Sequence, residues 1–238
     1  LNQTPVTLME KVKGICEEAF DEVLDKMNRN YARFLEATHQ PVHKLPWSRK
    51  VVDFMTLYEE AKAAGGEAFE REYRSELKTL QQKLENNEMT LLDCNFALLD
   101  FVYGYITDLS PRVVYGLIPP YYPNVSNRFI TALAPQIRSL DVDLDRFTRE
   151  RFGQHYVSEE FYTGISDLSY TSISNSDEIS AALSKSMPFY GTLYDIAISD
   201  IETISMPCIN IGPWGKDFHK LTERVLKRDL CERTPAII

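Results

Sequence analysis

Cysteine is scarce in this chain, and Cys16, Cys94, Cys208 and Cys231 stand far apart, forming neither a C-x-x-C pair nor a Cys/His cluster. That spacing excludes a zinc ribbon and a thioredoxin-like motif, and it fits reduced thiols in a cytoplasmic protein. Positive charge is also in short supply: 26 Lys and Arg face 35 Asp and Glu, for a formal net charge of -9. Phosphate binding needs a Lys/Arg surplus, so nucleic acid is excluded as the main partner. The longest basic stretch, Lys220, Arg224, Lys227 and Arg228, alternates with Glu223 and Asp229, as a solvated helix face does. No G-x-S-x-G elbow occurs, and with it goes the expectation of a Ser-His-Asp triad. A clean apolar span is lacking too. Met89 to Leu109 is long enough to cross a bilayer, but it carries Asp93, Asp100 and Asp108 near one helical stripe. That pattern suits a core helix with one wet edge, so no membrane partner is expected. Leu1 to Pro5 shows no initiator Met, basic n-region or apolar h-region, and is expected to lie inside a longer protein.

What is present suffices for a packed core, in one large domain or two small ones. Hydrophobic residues make up 44% of the 238, with twelve Phe, thirteen Tyr and two Trp. Ile15, Ala19, Val23, Met27, Tyr31 and Phe34 recur every three or four residues and predict an amphipathic helix over 14–37. Pro41 and Pro46 break it. Arg49 to Leu57 reads as a short strand, and Tyr58 to Ala64 as a helix ended by Gly65-Gly66. Phe69, Tyr73, Leu77, Leu80 and Leu84 mark a second long helix. Glu85 to Glu88 is a hinge before the apolar helix from Met89 to about Leu109. After Ser110-Pro111 the texture changes, and the β-rich run RVVYGLI is closed by Pro119-Pro120. A helix is expected over Asn127 to Leu140, a strand over Pro207 to Ile211, and a helix from about Asp217 to Lys227. The stretch Asp141 to Tyr162 is polar and ambiguous. The fold class is therefore α/β, with a mostly helical part over 1–109 and an α/β segment over 110–238.

The most informative segment runs from Asn210 to Val225, NIGPWGKDFHKLTERV. A strand delivers the chain to a Gly-Pro-Trp-Gly turn, whose glycines let backbone pass close to a ligand. His219 would then sit in the first turn of a helix, at a pocket mouth. Glu223, four residues on, would share its face and could orient it. On spacing alone, a surface residue or a cap is the commoner reading of such a histidine. The stretch FYTGISDLSY, Phe161 to Tyr170, taken bare is a turn in which Ser166 and Asp167 cap backbone amides. His39 and His43 lie in a broken, Pro-containing loop and read as structural or surface residues, and His155 as an ordinary loop residue.

The pattern G-P-x-G-x-x-x-H-x-x-x-E resembles the closing motif of the di-zinc aminoacylase, dipeptidase and desuccinylase superfamily. The fuller string IGPWGKDFHKLTERV is similar to its arginine-utilisation, RocB-type branch. Gly164, Ser166 and Asp167 match the Gly-Thr-Ser-Asp-type loop of the desuccinylases, although its Gly-Gly opening is replaced here by Thr163-Gly164. PPYYP at 119–123, MPFYG at 187–191 and MEKVKGICEEAFDEVL at 9–24 are also similar to stretches of that branch.

The resemblance implies a cytoplasmic zinc hydrolase of amide bonds in N-acyl amino acids or short peptides. His219 would ligate one of two zinc ions, Glu223 would support it, and Gly164, Ser166 and Asp167 would line the substrate pocket. A His-x-Asp segment, a bridging Asp and a Glu-Glu pair, the general base among them, would come from polypeptide before Leu1. This chain would then hold the end of a lid or dimerisation domain and the second half of a split catalytic domain, with apolar surface exposed for docking or for a homodimer. From another class, the alternative is a non-catalytic binding or assembly module that keeps the fold.

Overall fold

The computed structural model describes residues 4–123, 127, 135–159 and 167–238. It is a mixed α/β chain, mostly helical, and it divides into two compact units: residues 1–121 with 175–197, and residues 122–174 with 198–238. The expected division at 109/110 concerns which part of a larger enzyme each stretch derives from, and it remains a proposal.

The first unit begins with α1, Pro5–Ala37. Thr4 caps it: its hydroxyl accepts from the Thr7 amide, and the Thr7 hydroxyl accepts from the Thr4 amide. Proline at the first helical position costs nothing there, because that amide has no intrahelical acceptor. β1, Val51–Asp53, leads directly into α2, Phe54–Glu85, whose first turn is capped by the Asp53 carboxylate accepting from the Thr56 amide at 2.8 Å. α3, Leu91–Tyr103, starts in a second capping box, between Thr90 and Asp93. β2, Val113–Tyr115, returns to pair in parallel with β1, Val51 opposite Val113 and Asp53 opposite Tyr115. Parallel strands need a long crossover, and α2 and α3 supply it.

Gly65-Gly66, expected to end a helix, lies instead inside α2 as a kink, with Gly66 in the left-handed region at φ 56° and ψ -139°. A side chain at Gly66 would be strained by that backbone. At Gly65 the obstacle is different, because a Cβ there would lie 2.6 Å from the Tyr105 ring. The run from Met89 is shorter than expected, closing at Tyr103. It buries Cys94, Asn95, Leu98 and Val102 while Asp93 and Asp100 stay exposed, and no described helix is long and apolar enough to cross a membrane.

The core of this unit joins Phe54, Leu57, Ala61, Phe69 and Leu80 of α2 to Cys94, Leu98 and Val102 of α3, with Ile106 and Phe189 closing it. Phe69 is its aromatic centre, edge-on to Tyr58 and Tyr105 at centroid distances of 5.3 and 5.0 Å. Such pairs add to what area burial alone contributes. α6, Ser176–Ser186, belongs to the same unit and packs on α1 and α2, and the Leu117 amide, just past β2, donates to the Ser186 carbonyl at 2.8 Å.

A polar clasp locks the crossover. The Arg112 guanidinium, 5% exposed, forks onto Glu60, with Nη1 donating to Oε2 at 2.9 Å and Nη2 to Oε1 at 3.1 Å. Lys50 bridges Glu60 and Asp108 at 3.2 and 2.9 Å. The Arg112 hydrogen bond holds the Glu60 carboxyl below its usual range, against partial burial that pushes the other way, and Lys50 adds to the lowering.

In the second unit α4, Pro135–Arg138, is followed by α5, Leu140–Phe152, which occupies the stretch left ambiguous by sequence. The helix expected over 127–140 falls largely outside the described residues. A 3-10 turn spans Asp167–Tyr170, and α7 spans Ile198–Thr203. The strand expected over 207–211 does not form. Instead the Met206 amide donates to the Thr171 carbonyl at 3.0 Å, and the Asn127 side-chain amide brackets Cys208, accepting from its amide at 2.9 Å and donating to its carbonyl at 2.7 Å. The backbone of this apolar run is thus met by a side chain and a single carbonyl, so no ladder is built. β3, Gly215–Lys216, and β4, Arg224–Val225, form an antiparallel hairpin. A π-helical turn, Asp229–Arg233, and α8, Thr234–Ile237, complete the chain.

Arg112→Met should lower unfolding free energy in urea by about 2 kcal/mol, because it leaves Glu60 half-covered with only Lys50 as counter-ion. Glu60 has a lowered folded pKa, so its contribution is complete above about pH 4.5 and fades as pH falls through the folded value. The variant should therefore lose less stability than the parent between pH 4.5 and more acidic solution.

Candidate active-site segments

The segment around His219 is a hairpin, not the expected helix over 217–227. Gly215 pairs with Val225 and Lys216 with Arg224, and the Leu226 amide donates to the Trp214 carbonyl at 2.9 Å. A Cβ on Gly215 would lie 2.9 Å from the Arg224 carbonyl oxygen, so the close approach of the two strands requires glycine there. Below the strands, the Trp214 amide donates to Asp229 Oδ2 at 3.2 Å, and the other oxygen of Asp229 holds Arg233 at 2.6 Å in a buried ion pair. The hairpin is in this way anchored to the C-terminal turn.

Two residues of the connecting loop adopt left-handed backbone, Asp217 at φ 60° and His219 at φ 58°. This is the physical reason the helix fails: a right-handed turn cannot pass through either residue. Side chains then secure the loop. Asp217 Oδ2 accepts from Arg224 Nη1 at 2.6 Å and from the Thr222 hydroxyl at 3.2 Å. Glu223 Oε2 accepts from the His219 backbone amide at 3.2 Å. Glu223 was expected to act on the His219 ring, and it touches the backbone instead, fixing where the Cα sits. The ring itself is exposed and has no hydrogen-bond partner among the described residues.

Gly164 and Ser166 lie outside the described residues, and of Asp167 only the backbone is described, as the first residue of the 3-10 turn. Just past that turn, Thr171 donates both its amide and its hydroxyl to the Leu168 carbonyl, at 3.0 and 2.8 Å.

His43 is held at both ring nitrogens: Nδ1 donates to the Pro41 carbonyl at 2.9 Å, and Nε2 lies 3.2 Å from the Tyr31 hydroxyl. Its contacts are structural ones. His155 is not an ordinary loop residue: Nδ1 lies 2.7 Å from Asp145 Oδ1, while Arg149 Nε donates to Asp145 Oδ2 at 2.8 Å and the Tyr156 amide donates to Oδ1 at 2.8 Å. Partial burial works against the Asp145 carboxylate, and the bonds from Tyr156, His155 and Arg149 outweigh it, holding the pKa below the usual range. Gly153, left-handed at φ 64°, turns the chain back at the end of α5 and brings His155 over Asp145. That glycine was the available signal, since it marks the helix end and places His155 beside the last turns.

Chemically, an exposed imidazole on a fixed loop can offer one ring nitrogen to a divalent cation. Zinc needs three or four such donors, and among the described residues no three His, Cys, Asp or Glu side chains are grouped to hold a metal ion. The hairpin fits one arm of a zinc site and does not fit a whole one.

His219→Gly should raise the unfolding free energy by up to about 1 kcal/mol, because glycine occupies the left-handed region without the Cβ penalty. Urea denaturation of the variant checks it; a loss of stability would mean that the ring, exposed as it is, carries packing.

No family model matches the chain, and no solved structure matches it significantly. Among curated proteins, Protein RocB of Bacillus subtilis is 24% identical over 237 residues, covering 99% of this chain and 40% of RocB. The protein YqjN of the same organism is 26% identical over 215 residues, covering 88% of this chain and 36% of YqjN. The chain thus spans about two fifths of the length of the curated relatives it matches, and it is related to RocB-type proteins along nearly all of its own length.

Proposed function

We propose that this chain contributes one arm of the active site of a zinc-dependent hydrolase acting on the amide bond of N-acyl amino acids or short peptides, of the kind used in arginine and ornithine degradation. The observation that supports it most is the hairpin of residues 214–226. A strained backbone at His219, secured by Glu223, presents an imidazole with no competing partner among the described residues. Strain of this sort clusters at functional sites, where the surrounding contacts hold what the local sequence would not choose. The similarity to RocB across nearly the entire chain adds weight.

When bound, a zinc pair supplies polarisation of an amide carbonyl and activation of water. In this reading His219 donates a ring nitrogen to one of the two ions, and Glu223 sets the ring's position through the amide. Gly164, Ser166 and Asp167 shape the substrate pocket. The base that takes the proton and the remaining ligands belong to polypeptide other than these 238 residues. The 1–109 stretch belongs to the lid, 110–238 to the catalytic domain, and the four free cysteines suit the cytoplasm.

A second reading, a non-catalytic binding or assembly module, is favoured by one feature, the exposed apolar residues along α1, which suit a helix made for contact. Zinc analysis and amide hydrolysis assays on the longest natural form of the protein separate the two. His219→Ala should remove one zinc equivalent per chain and reduce kcat/KM for an N-acyl amino acid by at least about a hundredfold, as expected for a lost metal ligand. Retention of both metal and activity would refute the ligand assignment, and a parent protein that is metal-free and inert would favour the module.

A further inference from the structure

The turn that ends α5 is tied down on several sides. The hydroxyl of the buried Thr148 donates to the Asp145 carbonyl at 3.0 Å, and the Gly153 and Gln154 amides donate to the Arg149 and Thr148 carbonyls at 3.0 and 3.2 Å. The Asp145 carboxylate accepts from the Tyr156 amide on one oxygen and from Arg149 Nε on the other, both at 2.8 Å. Residues 153–156 are thus folded back over the end of the helix, and His155 has one place to go.

One nitrogen there meets two neighbours with opposite demands. Nδ1 of His155 lies 2.7 Å from Asp145 Oδ1, an acceptor, and 2.6 Å from Arg149 Nη2, a donor. With a proton it donates to Asp145, and without one it accepts from Arg149, but not both. The group held less firmly gives way. Arg149 is 57% exposed and can shift Nη2 into water at little cost. Asp145 is 22% exposed and pinned through both oxygens, so a bare Nδ1 would set a lone pair against a fixed carboxylate oxygen.

We propose that Asp145 holds His155 as the Nδ1–H tautomer, leaving Nε2 bare and open to solvent as a carboxylate-oriented base, separate from the His219 hairpin and independent of the hydrolase reading. The ring is 57% exposed, and no described residue bonds its Nε2. The other three histidines lack this arrangement: His43 is engaged at both ring nitrogens, and the His39 and His219 rings have no hydrogen bond among the described residues. The ligand such a nitrogen takes is a water or a hydroxyl compound set against it. The proton passes from the ligand oxygen to Nε2, the oxygen keeps the electron pair, and the imidazolium that forms keeps Nδ1–H on Asp145, with Arg149 as the opposing charge.

NMR of the ring nitrogens in chain labelled with 15N-histidine tests this at about pH 8.5, about two units above the ordinary histidine pKa, where free rings are neutral. His155 should show a protonated Nδ1 and a bare Nε2, while the partnerless His39 ring shows the averaged pair of an exchanging imidazole. Asp145→Ala, with helix content followed by circular dichroism, should shift the His155 pattern onto that of His39. Arg149→Gln should leave the parent pattern in place. Diethyl pyrocarbonate, whose carbonyl a bare and accessible ring nitrogen attacks with loss of ethyl carbonate, should modify His155 ahead of His43. A parent His155 with protonated Nε2, or with an averaged pair, overturns the proposal whatever the variants do. So does a tautomer that inverts in Arg149→Gln or persists in Asp145→Ala, and a His155 no more reactive than His43 overturns the availability of Nε2.

Discussion

The guanidinium of Arg112 is the constraint on which the first unit rests. It reaches from the residue before β2 to Glu60 on α2, so a two-toothed ion pair fixes where the returning strand lies after a crossover of some sixty residues. A three-residue parallel pair holds little by itself. Without the clasp, β1 and β2 would depend wholly on α2 and α3 packing behind them. Lys50 and Asp108 extend the same network to the residue before β1 and to the loop after α3, tying three connections to one carboxylate. The aromatic group of Tyr58, Phe69, Tyr73, Phe101 and Tyr105 joins α2 to α3 and the turn after it, so the polar clasp and the apolar core both act on α2.

The helices of this unit were legible because their apolar residues recur at three and four, and α1, both parts of α2 and α3 stand where that spacing places them. Ends were less legible. α1 starts at Pro5 rather than at residue 14, because the Thr4 and Thr7 capping box decides it and apolar periodicity is silent about caps. The hairpin at 214–226 was misread for a clear reason. Phe218, Leu221 and Val225 recur at three and four, and His219 to Glu223 is an i,i+4 step, so both signals point to a helix. The left-handed residues Asp217 and His219 override them, and nothing in their identities announces it, since neither is glycine.

The candidate site was legible in its composition and not in its geometry. The motif located His219 and Glu223, and the structure brings them together, though through an amide and not through the ring. The Asp145–His155 contact escaped sequence reading because its partners are ten residues apart across a helix end, beyond any helical spacing. The two curated relatives match 99% and 88% of this chain, so the likeness is spread along it rather than confined to one motif.

The two adjacent glycines in α2 set a rotational phase. Every residue of a helix advances its neighbours by about 100°, and the kink at Gly66 interrupts that count once, so Phe69 and Tyr73 point toward α3 only because the turn between the two segments has its present length. Removing one of the pair would swing the second segment by more than a quarter of a revolution and aim Phe69 away from Tyr58, whereas a substitution would strain the backbone at Gly66 or press on Tyr105 and Phe69 at Gly65. The joint is therefore constrained twice over, in its length by the phase it sets and in its composition by the Tyr105 ring against Gly65 and the left-handed backbone of Gly66.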